Sequence, residues 1–382
     1  MGSAERHPGA VSRALIVTND FPPRAGGIQS FVHGLAACRP PGSVVVYAPR
    51  WTGCDGFDAR QPYPVVRHPT SLMLPTRAVA RRAVELVAEF ACETVVFGAA
   101  APLGLLAPAM RAAGVRHIVM ITHGHEASWT QIPLARPLLA RIGGHADVVT
   151  YLGEYTRQRL ARVIPAGKLV RLAPGVDTGV FRPDADGKEV RAALGLGDRP
   201  VVVCLSRLVP RKGQDVLLRA WPRVLRAVPE AVLLIVGGGP YRRTLERLAR
   251  PVADSVRIIG PVPPAALPAH LAAGDVFAMP CRTRFGGIDV EGLGIVYLEA
   301  SASGLPVVAG ASGGAPDAVL QGETGLVVDG TSPAEVAGAL VGLLRAPERA
   351  RAMGERGREW VTREWGWDLV AARFARLLGP AP

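Results

Sequence analysis

Two glutamates, Glu291 and Glu299, stand eight residues apart in the stretch Arg284-Phe-Gly-Gly-Ile-Asp-Val-Glu291-Gly-Leu-Gly-Ile-Val-Tyr-Leu-Glu299, and four glycines crowd the first of them. On one continuous helix eight positions amount to about two turns plus 80°, so the carboxylates would not share a face. The glycines instead predict a loop over Gly286–Gly294 and a helix starting near Ile295. Glu291 then belongs to the loop and Glu299 to the second helical turn. Free backbone N–H groups at such a helix start suit an anion such as a diphosphate. Two carboxylates beside it would repel it unless they face something else. Vicinal sugar hydroxyls fit, because an ionised carboxylate only accepts hydrogen bonds and a diol donates two.

The cations for a diphosphate lie elsewhere. Arg207 and Lys212 follow a predicted strand, Pro200–Ser206, and sit five residues apart around a turn. Ligands of open α/β sheets bind beyond the carboxyl ends of strands. An arginine fork and a lysine point charge there could reach one diphosphate, whereas either alone reads equally as solvated surface. Gly26 and Gly27 follow another predicted strand, Ala14–Thr18, and lead into a helix near Ile28–Ala37. Strand, Gly-Gly turn and helix present amides to an anion, but the full Gly-x-Gly-x-x-Gly pattern is missing and a tight turn explains the glycines as well. Thr122-His123-Gly-His125-Glu126 also follows a strand end. No second ligand cluster supports a metal there, which leaves His123 as a polar group aimed into a cleft or as a buried, satisfied histidine. Asp184-Ala-Asp186 imitates a metal-binding motif, but Pro183 and Gly187 bracket it and no strand leads in, so it reads as a loop. Gly304–Gly310 with Ser312–Asp317 repeats the strand and Gly-rich turn, either near the partner of Glu299 or as scaffold.

These residues need a frame that brings strand ends together. Apolar runs at Ala14–Thr18, Ser43–Ala48, Thr94–Phe97, His117–Thr122 and Ala146–Thr150 alternate with helical stretches such as Arg77–Phe90 and Leu152–Val163. Arg171–Pro183 is turn-rich and reads as a linker. A second series follows at Pro200–Ser206, Ala231–Val236, Val256–Ile259, Val276–Met279, Val307–Ala309 and Gly325–Val328, with Pro240 expected at a first helical position and helices at Pro333–Leu344 and Ala350–Leu378. Strand alternating with helix implies parallel sheets covered on both faces. The expected organisation is α/β, with two doubly wound domains facing across a cleft at residues 1–173 and 174–364, and a final helical segment at 365–382.

At 382 residues the chain has room for two real cores, and 49% apolar with 20% charged residues is ordinary for a globular protein. Met1–Pro8 is short and polar, with no apolar segment of a signal peptide behind it. Thr94–Met110 is uncharged but carries Pro102 and Pro108, which favours a strand end, loop and helix start over a membrane span. Five scattered cysteines without metal spacing read as a reduced, cytoplasmic protein. The net charge of +12 is uneven: residues 1–172 hold 19 basic and 10 acidic side chains, the remainder 25 and 22. That excess is either a plain solvated surface or a complement to an anionic membrane or acidic acceptor. Arg77–Phe90, with Arg77, Arg81 and Arg82 beside an apolar stripe, reads as a surface helix first and a bilayer-binding one second. Nucleic acid is not indicated, because no helix-turn-helix, zinc module or aromatic-rich sheet motif is present.

In this order Gly26-Gly27, His123, Arg207 with Lys212, and Glu291 with Glu299 resemble the retaining glycosyltransferases of the two-Rossmann-domain (GT-B) class that carry a Glu-x7-Glu motif. The likeness covers nearly the whole chain, including Glu364-Trp-Gly-Trp367. More narrowly, TNDFPPRAGGIQSF, THGHE, RLVPRKGQD and GGIDVEGLGIVYLEA look like the phosphatidylinositol monomannoside mannosyltransferase branch. The resemblance implies that Arg207 and Lys212, helped by Gly26 and Gly27, bind the donor diphosphate, and that Glu299 holds the ribose diol. Glu291 and the Gly292, Leu293, Gly294, Ile295 and Val296 backbone would hold the donor sugar, with His123 contacting it from the acceptor domain. No basic residue near Val262–Leu267 offers itself to the base, so guanine rests on the branch likeness and on backbone contact at Val262. It further implies GDP-mannose as donor, no metal, a front-side mechanism, a mannosylated phosphatidylinositol acceptor, peripheral attachment to the inner face of the plasma membrane, and a last helix returning to the first domain. The alternatives are another sugar nucleotide or a soluble acceptor and, in another class, a nucleotide-sugar epimerase, a hydrolase or a silent nucleotide-sugar-binding protein.

Overall fold

The computed structural model describes residues 13–379, so Met1–Pro8 lie outside the described residues. Two sheets carry the chain, and every strand pairing in both is parallel. The first comprises β1 (Ala14–Val17), β2 (Val44–Pro49), β3 (Val65–His68), β4 (Thr94–Phe97), β5 (His117–Met120), β6 (Val148–Tyr151) and β7 (Leu169–Arg171), in the order β3-β2-β1-β4-β5-β6-β7. β1, β2 and β4 are buried at every residue. Continuous apolar runs of that kind are what a sheet covered on both faces requires.

Helix Arg77–Glu89 shows how the cover is built. The Thr76 hydroxyl accepts the Val79 N–H at 3.4 Å and starts the helix. Val79, Ala83, Leu86 and Val87 recur at helical spacing and enter the core beside Leu15, Val45, Val95 and Phe97. Truncating Leu86 to alanine there would cost about 2–5 kcal/mol. The apolar stripe is thus spent within its own domain, while Arg81 and Arg82 pair with Glu85 and Glu89 on the outside.

The second sheet comprises β8 (Val201–Leu205), β9 (Val232–Val236), β10 (Val256–Gly260), β11 (Val276–Met279), β12 (Val307–Gly310) and β13 (Gly325–Val328), in the order β10-β9-β8-β11-β12-β13. The order reverses between β8 and β11, so the loops leaving their carboxyl ends lie side by side at a switch point. β12 is the next neighbour. This arrangement places Arg207–Lys212, Arg282–Glu291 and the Ser312-Gly-Gly turn together at the carboxyl ends of neighbouring strands in one sheet.

The chain divides into two compact units. One takes in residues up to Leu152, Arg157–Ala173 and the chain from Val370 on; the other takes Gly153–Thr156 and Pro174–Leu369. Within the first unit the end of the last helix is tied to the sheet. The Thr94 hydroxyl donates to the Leu378 carbonyl at 3.3 Å, and His117 Nε2 lies 2.8 Å from that of Leu377.

Several local readings are corrected. β3 and β7 carry no continuous apolar run and are half-buried edge strands; β7 ends on Arg171, where the linker was expected to begin. Pro240 lies in a turn two residues before its helix, Arg242–Ala249. That turn is pinned to the β8 loop instead: Leu208 N–H donates to Gly238 O at 2.9 Å and Tyr241 N–H to Leu208 O at 3.1 Å. The helix expected over Leu152–Val163 is confined to Glu154–Leu160. Ala350–Leu378 is two helices, Pro347–Glu364 and Trp367–Leu378, broken where Val176 N–H takes the Trp365 carbonyl at 2.8 Å. Asp186 has a structural task, accepting the Glu189 N–H at 3.4 Å to cap helix Gly187–Ala193.

Candidate active site

The turn after β8 and the loop after β11 meet because glycine lets them. Gly213 has φ +77°, and a Cβ there would fall 1.9 Å from the Pro280 carbonyl oxygen. The close approach brings Lys212 and Arg211 onto Glu291. Lys212 Nζ and Arg211 Nη1 each lie 2.6 Å from Glu291 Oε2. Arg211 Nε also faces Asp289 Oδ1 at 3.3 Å, and Asp289 Oδ2 pairs with Arg284 Nη1 at 3.4 Å. Arg284 and Asp289 exchange backbone hydrogen bonds across a tight turn with Phe285 at φ +49°. A second ion pair lies at the root of the loop: Arg282 Nη1 sits 2.9 Å from Asp215 Oδ1, and Arg282 N–H donates to Arg211 O at 2.8 Å.

The Gly-rich turn after β12 supports the same loop from the other side. Gly314 N–H donates to Glu291 O at 2.8 Å, and a Cβ on Gly313 (φ +55°) would fall 2.0 Å from that oxygen. Of the two readings offered for this turn, scaffold is the one its contacts support.

Electrostatics separates the two glutamates. Burial alone would raise the Glu291 carboxyl, but the charges of Lys212 and Arg211 outweigh it and hold it below its usual range. Burial pushes Glu299 up to about 7. Its carboxyl has no hydrogen bond or ion pair among the described residues, whereas its backbone oxygen accepts from Ser303. Glu299 stands on helix Ile295–Ala302, which begins after Gly294 (φ +78°) with no side-chain cap; the Tyr297 N–H donates to Gly294 O at 2.9 Å, which leaves the Ile295 and Val296 amides open at the helix start. The Tyr297 hydroxyl ties this helix to β11 by donating to Met279 O at 2.6 Å.

Arg207 is exposed and has no ion pair among the described residues. It lines a recess of about 280 Å³ with Val209, Pro210, Arg211, Arg284 and Asp289. Gln214, fully buried, steadies it by donating to the Arg207 carbonyl at 2.9 Å. Val262 is half-exposed on the loop after β10. The site thus combines a free guanidinium, a buried lysine–carboxylate pair, an unpartnered carboxyl and open helix amides. Arg211 and Asp289 were missed as site residues, although both lie in the quoted motifs.

In the first unit, His123 Nε2 lies 2.5 Å from Gly98 O. A carbonyl only accepts, so this nitrogen carries the proton and Nδ1 is left as an acceptor. Burial holds the imidazole below its usual value, hence neutral. The fully buried Glu126 accepts the His123 backbone N–H at 2.8 Å, and its other oxygen lies 3.3 Å from His125 Nε2. Gly26 precedes helix Gly27–Ala37; a Cβ there would meet Gln29 Oε1 at 2.1 Å, whereas one on Gly27 would meet nothing. No group of three or more His, Cys, Asp or Glu side chains is disposed to hold a metal among the described residues.

The fold recurs in solved structures. Anabaena Alr3699/HepE in complex with UDP and glucose superposes with a TM-score of 0.80 at 19% identity, covering 96% of this chain and 99% of that one. The family model described as "Glycosyltransferase Family 4" matches residues 25–180, and "Glycosyl transferases group 1" matches residues 186–360. Fold and matches together define a glycosyltransferase of the GT-B class. The GDP-mannose-dependent alpha-(1-6)-phosphatidylinositol monomannoside mannosyltransferase of Mycolicibacterium smegmatis is 56% identical over 95% of this chain and 97% of its own. The monoacylated-substrate counterpart of Corynebacterium glutamicum is 45% identical over 98% and 99%. The chain belongs to this phosphatidylinositol monomannoside mannosyltransferase family.

Proposed function

We propose that the protein transfers an α-mannosyl group from GDP-mannose to a mannosylated phosphatidylinositol, with retention of configuration, at the cytoplasmic face of the membrane. The observation that carries this reading is the 56% identity, over 95% of the chain, to an enzyme named for that donor and acceptor. Within the second unit the geometry supports its share of a division of labour, and the family likeness extends that division to the first unit. Arg207 and Lys212, with the Gly26 and Gly27 amides, bind the diphosphate. Glu299 accepts two hydrogen bonds from the ribose diol. Glu291 and the Gly292–Val296 backbone hold the mannose, His123 Nδ1 accepts from one of its hydroxyls, and the Val262 backbone meets the guanine.

In the reaction the bond from mannose C1 to the phosphate oxygen breaks, and the acceptor oxygen attacks C1 from the same face. The acceptor proton passes to the departing diphosphate. Arg207 and Lys212 stabilise the charge that grows on that phosphate, and no metal is part of this reading. Leu72, Leu74 and Leu134 are 55%, 52% and 86% exposed, on the unit that holds most of the excess positive charge. They and that charge support peripheral docking on an anionic bilayer. No helix among the described residues is long and apolar enough to cross a membrane.

The test is a donor and acceptor panel. The purified protein is incubated with GDP-mannose, UDP-glucose or ADP-glucose, with phosphatidylinositol monomannoside, with inositol phosphate or with no acceptor. Lipid-dependent GDP release is expected. GDP release equal in all acceptor arms would make it a hydrolase, and release driven by inositol phosphate would move the acceptor to a soluble molecule.

A further inference from the structure

Glu291 is held by two cations, yet only one of them has another anion to lean on. Arg211 is fixed independently of Glu291 through Asp289 and through its carbonyl, which accepts the Arg282 N–H. Lys212 has Glu291 as its only carboxylate partner among the described residues. Both Lys212 and Glu291 are buried, at 9% and 6% exposure, whereas Arg207 is exposed.

A diphosphate drawing Lys212 toward itself would, in a simple pair, strand a buried carboxylate, and leaving one buried charge unpaired is among the more costly events in a protein. The second cation removes that cost. With Arg211 gripping the same oxygen, Glu291 keeps a partner when Lys212 turns to the phosphate. We propose that Arg211 is a positioning residue that holds Glu291 and thereby releases Lys212 to the donor diphosphate. The inference rests on the reading of Lys212 as a donor-binding cation given above. Adjacent residues of a turn usually diverge. Here Lys212 closes a 3₁₀ turn against the left-handed Gly213, and that geometry brings both cations to one oxygen.

The experiment is a double-mutant cycle on GDP affinity by calorimetry, using the full chain as wild type, Arg211→Gln, Glu291→Gln and the double variant. Arg211→Gln leaves the Lys212–Glu291 pair intact, so it is expected to fold; Arg211→Lys, which keeps a cation, serves as the second variant. GDP binding is expected to weaken about tenfold in Arg211→Gln and to recover in part in Arg211→Lys. In the double variant Lys212 faces no carboxylate, so affinity is expected to return to within about threefold of Glu291→Gln alone. Wild-type affinity in Arg211→Gln would overturn the proposal. So would a double variant still about tenfold weaker than Glu291→Gln, because Arg211 would then act on the phosphate directly. If the wild type prefers another nucleoside diphosphate, the guanine reading falls, and the same cycle with that nucleotide still decides the role of Arg211.

Discussion

Lys212 Nζ lies 2.6 Å from Glu291 Oε2, with 11% and 8% of their side chains exposed. A pair so placed contributes little net stability, because desolvation offsets most of the attraction. Its consequence is positional: the cation proposed to meet the leaving phosphate is stored against the carboxylate proposed to hold the sugar.

Removing that cation should affect the transition state more than the ground state. Lys212→Ala is expected to lower kcat about 10²–10³-fold, since the charge it meets grows as the phosphate departs. GDP affinity should fall much less, and thermal stability should hold because Arg211 still faces Glu291. Steady-state kinetics beside a melting curve separate the two; near-wild-type kcat would remove Lys212 from the chemistry.

Glu299 makes a prediction in pH. Burial places its carboxyl near 7 in the folded chain, against an unfolded value of about 4.3. Between these values the folded state holds a proton that the unfolded state has lost. Its contribution to stability is therefore complete below about pH 4 and is lost as pH rises through about 7. Ligand-free wild type should lose on the order of 1–3 kcal/mol relative to Glu299→Gln between pH 5 and pH 8. Donor affinity should move the opposite way, because only the ionised carboxylate accepts both ribose hydroxyls. Parallel pH profiles for the two proteins would contradict this role.

His123 should act on the sugar and not on the nucleotide. His123→Ala is expected to cut kcat/KM by roughly ten- to a hundredfold, the loss of one buried hydrogen bond to substrate, with GDP affinity unchanged. Because burial keeps the ring neutral, no inflection from His123 is expected in the rate above pH 7. Equal losses in GDP binding and turnover would show that the histidine merely supports the fold.

The root of the Arg282–Glu291 loop can be tested through stability alone. Asp215 is 1% exposed and faces Arg282 at 2.9 Å. Asp215→Asn leaves that guanidinium without its anion and should cost about 3 kcal/mol by urea unfolding. A change below about 1 kcal/mol would mean the pair is not structural.

The central strands were readable from sequence because burial on both faces forces apolar runs, as in Thr94–Phe97 and Val276–Met279, whose ends coincide with the prediction. The edge strands β3 and β7 have one neighbour and half-exposed side chains, so no such run marks them. Glu291 on a loop and Glu299 on the second helical turn followed from the glycine spacing. The joint grip of Arg211 and Lys212 on Glu291 did not. It depends on β8 and β11 being sheet neighbours and on Gly213 packing against Pro280, relationships across some 80 positions that no local pattern carries.

The most direct measurement is proton NMR of the product made from GDP-mannose and phosphatidylinositol monomannoside. One added mannose on the lipid, with the anomeric signal of an α-mannoside, is the expected result. A β-mannoside would contradict retention. Free mannose, or product formed only on a soluble acceptor, would contradict the assignment of the reaction itself.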